Sequence, residues 1–461
     1  MSSPQFRFLH CALAAVATLL IWSPPAPAEI APPLVPEPVS LPPVLHLGEA
    51  LQIFRDRGLD LLIADAAVQS AEADVRIAHA LQNPALTLGF GKSFTKRLGD
   101  PTADPPTSDS WVFVKDPVIN AGLSDQASIT SILFGKRGLR TDVAQAALGA
   151  ARLARVDAQR NLEAQVKQAF LAALIARDTL KFAREVQQAS THMLQLTQTR
   201  YNAGAISEAD LARIQTAKLE SDQAVDITLQ NYRVAQVGLA FLLGLRSAIP
   251  DFEVEGPELL HYSVPPSLGD VSKETLLRNA FENRPDLRAV RFQQQRAEQS
   301  IALAKRMRIP DIAFNLSYTQ QGTVEGTAIT PPTVTFGISL PLPLLYQQQG
   351  EVQKAEADFR TQALTYAKLQ AQVASDIESA HVAFASSEQL VKRMETGGLL
   401  ASVKRARDLV SIQYQKGAAS LLEFLDAQRT YIAINVEYLQ DLTIYWTAVF
   451  KLEQAVGTKP Q

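Results

Sequence analysis

"QYQKGAASLLEFLDAQ" occupies residues 413–428, and "RYNAGAISEADLARIQ" occupies 200–215. Both interrupt runs that otherwise read as helix, and both do so with a Tyr, a Gly three residues on, and a Ser three residues after that. A glycine there supplies the backbone freedom to end a helix. The serine places a hydroxyl where the next helix is capped. The pattern predicts two tips of helical hairpins, at Gly204 and Gly417.

The duplication extends outward from these tips. At an offset of 213, Tyr201 meets Tyr414, Gln215 meets Gln428, Tyr232 meets Tyr445, Leu239 meets Leu452 and Gly244 meets Gly457. Earlier in each copy the offset is 226, so that Asp60-Leu61 meets Asp286-Leu287, Ala71-Glu72 meets Ala297-Glu298 and Pro84 meets Pro310. The change of offset places about 13 extra residues in the first copy, where "GDPTADPPTSD" (99–109) has the composition of a loop.

Proline marks the layout. None occurs from 118 to 249 or from 344 to 459, and because interior proline costs a helix about 3 kcal/mol, such tracts permit very long helices. The reading is a 1–28 leader, a Pro-rich segment 29–46, a first repeat 47–245, a linker 246–272, a second repeat 273–457 and a tail 458–461. Each repeat is expected to run as a helix (47–80; 273–306), a β-hairpin (about 85–133, its poorly patterned return strand near 122–133; about 311–343), a long helix (139–200; 350–413), the tip, and a closing helix (207–243; 420–456). A helix of ~62 residues spans about 93 Å, and two shorter ones stacked end to end span about 106 Å. Each repeat can thus form one long rod and one broken rod of similar length.

The strands alternate. In 311–319, Ile312, Phe314, Leu316 and Tyr318 face one way and Ala313, Asn315, Ser317 and Thr319 the other; Val334, Phe336, Ile338 and Leu340 alternate with Thr335, Gly337 and Ser339. One apolar and one small polar face suits a strand between lipid and a wet lumen, and equally a soluble sheet on a core. Four strands flanked by helices too long to fold over them favour the first. Four strands cannot close a membrane barrel, so several chains must share one.

At the N-terminus, Arg7, the apolar run "CALAAVATLLIW" (11–22) and "APA" (26–28) read as a cleavable export signal. Without residues 1–28 the chain would carry a net charge of about −4, which offers no footprint for nucleic acid. The single cysteine, Cys11, falls within that leader, and the histidines at 46, 79, 192, 261 and 381 form no pair at ligand spacing, so no metal site is predicted. No G-x-S-x-G, H-E-x-x-H or phosphate loop is present, no cofactor is implied, and the chain does not read as an enzyme.

The two-copy layout, with "RYNAGAISEADL", "QYQKGAASLLEFLDAQ" and the closing "LAFLLGL" and "FKLEQAVG", resembles the TolC family of outer-membrane efflux ducts over about 47–457. "FGISLPLPLLYQQQGEVQKAEA" (336–357) and "FGKRGLR" (134–140) are most similar to the CzcC-like branch serving heavy-metal efflux. The resemblance implies a mainly α fold with membrane β: a homotrimer with a 12-stranded barrel in the outer membrane of a Gram-negative bacterium, standing on a periplasmic α-helical barrel. It also implies a periplasmic adaptor and an inner-membrane pump of the RND type as partners.

It further implies a periplasmic gate at the second tip, with Tyr414, Glu423 and Asp426 at the constriction. Glu423 and Asp426 lie three apart, on one helix face, and in a trimer would form a ring of six carboxylates; on spacing alone they read as a solvated helix start, where acids suit the dipole. The family's locking arginine falls on Ala419 here, with Lys416 as the stand-in. Tyr201, Gly204, Asp210, Lys416 and Gly417 form the tips expected to meet the adaptor. Gly397-Gly398 breaks the second long helix locally. Two other readings compete: a duct for type I protein secretion, and a soluble periplasmic coiled-coil adaptor or scaffold.

Overall fold

In the computed structural model, the described residues are 41–97, 112–246, 251–266, 272–321 and 331–457. The leader, most of the Pro-rich segment, the 99–109 loop and the 458–461 tail fall outside them. Each repeat supplies a pair of short helices, two strands and a long helical hairpin. In the first, α1 (Leu47–Arg57) and α2 (Leu59–His79) lead to β2 (Ala85–Arg97) and β3 (Val112–Ser124). A short α3 (Ser128–Leu133) then precedes α4 (Lys136–Asn202) and α5 (Glu208–Leu242). In the second, α6 (Lys273–Asn283) and α7 (Pro285–Arg306) lead to β5 (Ala313–Gln321), β6 (Thr333–Ser339), α8 (Gln349–Glu395), α9 (Leu399–Gln415) and α10 (Leu421–Val456).

Each opening helix, expected to be continuous, is two helices. The break falls at equivalent positions, Gly58 (ψ 118°) and Arg284 (ψ 122°). Pro285 disfavours helical geometry at the residue before it and starts α7 itself. In the first copy Gly58 takes the same bend, and a Cβ there would lie 2.6 Å from the Phe54 ring.

The 67-residue α4 spans about 100 Å. Its counterpart is interrupted: Gly398 is left-handed (φ +73°) and splits α8 from α9. The end of α8 is held there by Glu395, whose Oε1 accepts from the Tyr262 backbone N–H (2.9 Å) and the Tyr438 hydroxyl (2.5 Å).

The return strand of the first hairpin lies at 112–124, not 122–133; residues 128–133 are helical instead. Pro117 hid it. Proline cannot donate to a ladder, and β3 tolerates it because β5 pairs only with 118–124, which leaves Pro117 beyond that partner. β6 stops at Ser339, short of Pro341 and Pro343.

All four long strands form one antiparallel sheet in the order β2-β3-β5-β6, so β2 and β6 are open edges. The register puts Leu86 against Leu123, Leu123 against Leu316, and Leu316 against Phe336. These side chains share one face and stay 48–65% exposed. The opposite face carries small polar residues: Asn120 lies across from Gly89 and Asn315 across from Gly337.

Two three-residue strands were not legible in the sequence. β1 (Val44–His46) pairs in parallel with β4 (Glu253–Glu255), tying the chain before the first repeat to the linker. Only Leu45 and Val254 of these strands point inward, and both are fully buried. They join the main core, where Phe54, Phe170, Leu174, Leu239, Leu276, Tyr445 and Leu452 meet.

Away from that core, α4 crosses α7 through a glycine. A Cβ at Gly149 would lie 2.6 Å from the Phe292 ring. Gly149→Val is therefore expected to cost about 1–3 kcal/mol through overpacking, read as a lower urea midpoint in detergent, while Phe292→Ala on the same background recovers part of the loss.

Candidate functional site

The two tips lie side by side. At the first, α4 ends as the Gly204 N–H bonds the Tyr201 carbonyl (2.9 Å) and the Ala205 N–H bonds Arg200 (2.9 Å), with Gly204 at φ +72°. Ser207 then caps α5 by accepting from the Asp210 N–H (3.2 Å). At the second, Gly417 (φ +77°) repeats the turn and the Ala418 N–H bonds Gln413 (2.8 Å). Ser420 and Glu423 form a reciprocal capping box: the Glu423 N–H donates to Ser420 Oγ (3.2 Å), and the Ser420 N–H donates to Glu423 Oε2 (2.7 Å).

An apolar knot joins the tips. Met193 of α4, Leu211 and Ile214 of α5, Tyr414 of α9, and Leu421, Phe424 and Leu425 of α10 are all buried together. Tyr414 is only 3% exposed and stacks on Phe424 with ring centroids 5.5 Å apart. Thus Tyr414 fills the protomer's own packing, and its hydroxyl sits 3.4 Å from Thr197 Oγ1, which is fully buried.

The cation at this junction is Arg200, from the last turn of α4. Its guanidinium donates to the Tyr414 carbonyl (3.1 Å) and the Gln415 carbonyl (2.6 Å), and lies 5.0 Å from the centre of the Tyr414 ring. These carbonyls end α9, where the dipole favours positive charge; the Tyr414 carbonyl accepts from Arg200 in addition to the Gly417 N–H (3.0 Å). Lys416 is exposed and its ammonium makes no hydrogen bond or ion pair among the described residues, and Ala419 packs at the margin of the knot. Arg200 stands directly before Tyr201 in the quoted motif. Its signal was a cation in a helix's last turn, but nothing local shows that it serves the neighbouring helix.

Glu423 is exposed, and the hydrogen bonds from the Ser420 backbone and hydroxyl hold its carboxyl below the ordinary range. Asp426 is exposed on the same helix, and its carboxylate has no hydrogen-bond or ion-pair partner among the described residues. Asp210 bonds the Ser207 hydroxyl (2.9 Å) and Arg213 (3.4 Å), while Tyr201, Gly204 and Gly417 are exposed. Among the described residues no group of three or more His, Cys, Asp and Glu is placed to hold a metal ion. No helix among them is long and apolar enough to cross a membrane.

A chain of long helical hairpins carrying one apolar-faced sheet agrees with what known proteins show. Residues 50–245 and 276–458 match the family described as "Outer membrane efflux protein". The chain belongs to this family. Among curated relatives, the cobalt-zinc-cadmium resistance protein CzcC of Cupriavidus metallidurans is 23% identical, covering 90% of each chain. The pyoverdine export outer membrane protein OpmQ of Pseudomonas aeruginosa is 24% identical over 89% of this chain and 85% of its own. Among solved structures, CusC, described in terms of transmembrane channel formation, superposes with a TM-score of 0.69 at 17% identity, over 93% of this chain and 98% of that one. Outer membrane efflux proteins are transport ducts, not enzymes, and this membership removes the soluble adaptor or scaffold from consideration.

Proposed function

We propose that three copies of the chain close a 12-stranded barrel in the outer membrane above a shared periplasmic helical tube. The assembly is a passive exit duct for metal cations or small toxic compounds. An inner-membrane pump of the RND type drives it through a periplasmic adaptor, and residues 1–28 direct export and are removed. The observation that carries this reading is the four-stranded sheet, which exposes an apolar face and leaves both edges unpaired. Open edges and a bare apolar face are stable in lipid only when strands continue around a closed ring. The cobalt-zinc-cadmium resistance and pyoverdine-export relatives favour small cargo over protein secretion.

In this reading the paired tips are the periplasmic gate. The exposed Tyr201, Gly204, Lys416 and Gly417, with Asp210 beside them, meet the adaptor. Glu423 and Asp426 line the constriction as a carboxylate ring. Tyr414 acts from behind that ring, as the anchor on which α9 and α10 are fixed. In planar bilayers the Glu423→Ala/Asp426→Ala duct should lose most of its cation preference. Because Glu423 is held below the ordinary carboxylate range, the wild-type preference should persist at pH 5. An unchanged reversal potential in a salt gradient would reject the ring. Failure of the purified oligomer to conduct at all would reject the duct.

A further inference from the structure

The linker between the repeats touches both of them, and differently. In the second repeat the contact is filled. Tyr445 of α10 donates to the Ser263 carbonyl (2.8 Å) and packs on Tyr262 with ring centroids 5.4 Å apart. The charges there are paired, since Tyr262 and Lys392 both donate to Glu388 Oε1 (2.7 Å each). In the first repeat the equivalent Tyr232 of α5 is also buried, with its hydroxyl 3.5 Å from the Phe252 carbonyl. Beside it, however, α4, α5 and the linker line a cleft of about 780 Å³.

The walls of this cleft carry opposite charge. Arg177, Lys181 and Arg184 come from one face of α4, at i, i+4 and i+7, and Arg233 comes from α5. Glu185 is the one acid on this helical wall. The charged groups of the linker wall are Asp251, Glu253 and Glu255. Arg177 is already engaged, donating to the Val254 carbonyl and to Asp178 (2.9 Å). The side chains of Lys181, Arg184 and Arg233, and of the three linker acids, are exposed and make no hydrogen bond or ion pair among the described residues. Both signs are felt by Tyr232: burial pushes its hydroxyl up, Glu253 pushes the same way and Arg177 opposes them. The duplication shows that this wall is particular to the first copy. The positions of Arg177, Lys181, Arg184 and Arg233 are held in the second by Leu390, Met394, Gly397 and Trp446.

We infer that this cleft binds a small zwitterion, a short peptide with a free ammonium and a free carboxylate end. The carboxylate meets Lys181, Arg184 and Arg233, and the ammonium meets Asp251, Glu253 and Glu255. A simple anion is repelled by the linker wall and a simple cation by the helical wall, so a ligand with one charge at each end fits where neither ion does. The volume lies in the range of small-molecule sites and is more than one free amino acid fills. Gln188 of α4, exposed on the lining and without a hydrogen bond among the described residues, offers an amide to a peptide backbone. The site lies within a single chain and holds whether or not copies close a ring.

Calorimetric titration of the full chain, purified from membranes in mild detergent, with trialanine tests this. Trialanine should bind, and N-acetyl-trialanine and trialanine amide should each bind about tenfold more weakly, the fold-change lost with one charge-assisted contact. Arg184→Ala/Arg233→Ala should weaken trialanine to the level of its amide, and Asp251→Asn/Glu253→Gln to the level of its N-acetyl form. These side chains are exposed and unpaired among the described residues, so the urea midpoint should not move. No binding of trialanine up to about 10 mM would overturn the assignment and leave the two walls to answer each other through solvent. Equal affinity for the free peptide and either blocked form would overturn it too. So would wild-type binding by both variants, which would put the peptide elsewhere on the chain.

Discussion

Replacing Arg284 with methionine is expected to lower the unfolding free energy by about 3–5 kcal/mol, the usual cost of removing one partner from a buried ionic cluster. Arg284 sits at the α6–α7 break and is 5% exposed. Its guanidinium donates to Asp286 (2.7 and 3.2 Å) and to Asp376 (3.1 Å), and reaches the Ala455 carbonyl (3.4 Å). A single side chain thereby ties the opening helices of the second repeat to α8 and to the end of α10. Methionine fills much of the volume but leaves the half-buried Asp286 without its closest cation.

The pH dependence separates this loss from simple misfit. Burial alone would push Asp286 up; the hydrogen-bonded Arg284 guanidinium, with Arg160 behind it, more than reverses this, so the native carboxyl lies below its ordinary value. That contribution is complete above the unfolded value of about 4 and is lost as pH falls through the depressed native value. In the methionine variant the carboxylate keeps only the more distant Arg160 (3.8 Å) and is penalised while charged, which costs stability at neutral pH and not in acid. The gap between wild type and variant, followed by urea unfolding in detergent, should be widest near pH 7 and narrow below about pH 4. A gap that stays constant would mean that packing, not charge, makes Arg284 important.

The sequence exposed most of this architecture because its largest features are periodic. The tips were legible from Gly204 and Gly417 followed by Ser207 and Ser420, since ending one helix and capping the next are local tasks carried by local residues. The strand faces of the second repeat were legible for the same reason. What stayed hidden depended on partners distant in sequence. β3 was misplaced because Pro117 argues against a strand until the length of β5 is known. β1 and β4 are three residues long and exist only because each pairs with the other across the whole first repeat. The continuous helix expected over 273–306 passed over Pro285, the local cause of the α6–α7 break; its equivalent in the first copy is Leu59, and only the structure shows that Gly58 bends the same way. At the tips, the family resemblance pointed to Lys416 and the acids, whereas the contacts within the chain run through Arg200 and the burial of Tyr414.

Arg200→Ala should shift the balance between joined and separated tips by on the order of 30- to 100-fold. Two charge-assisted hydrogen bonds and a ring contact are lost together, worth about 2–3 kcal/mol net, and each 1.4 kcal/mol is a factor of ten. In a bilayer recording this appears as a higher resting conductance with the ion preference unchanged, because Arg200 does not belong to the proposed carboxylate ring. Arg200→Lys retains the charge but loses the planar fork that reaches two carbonyls while stacking on Tyr414, so it should fall between alanine and wild type. Thr197→Val removes only a 3.4 Å contact to the Tyr414 hydroxyl and should change the conductance little. The alternative is that Arg200 merely completes the end of α9, which would lower the unfolding midpoint and leave conductance alone. The two outcomes are separable because α9 touches α4 mainly at this point, between the left-handed Gly398 above and the Gly417 turn below. Because α9 packs along α10, removing Arg200 loosens that pair from α4 at the tip without unfolding it. Alanine at 200 with wild-type resting conductance would show that the apolar knot alone keeps the tips together.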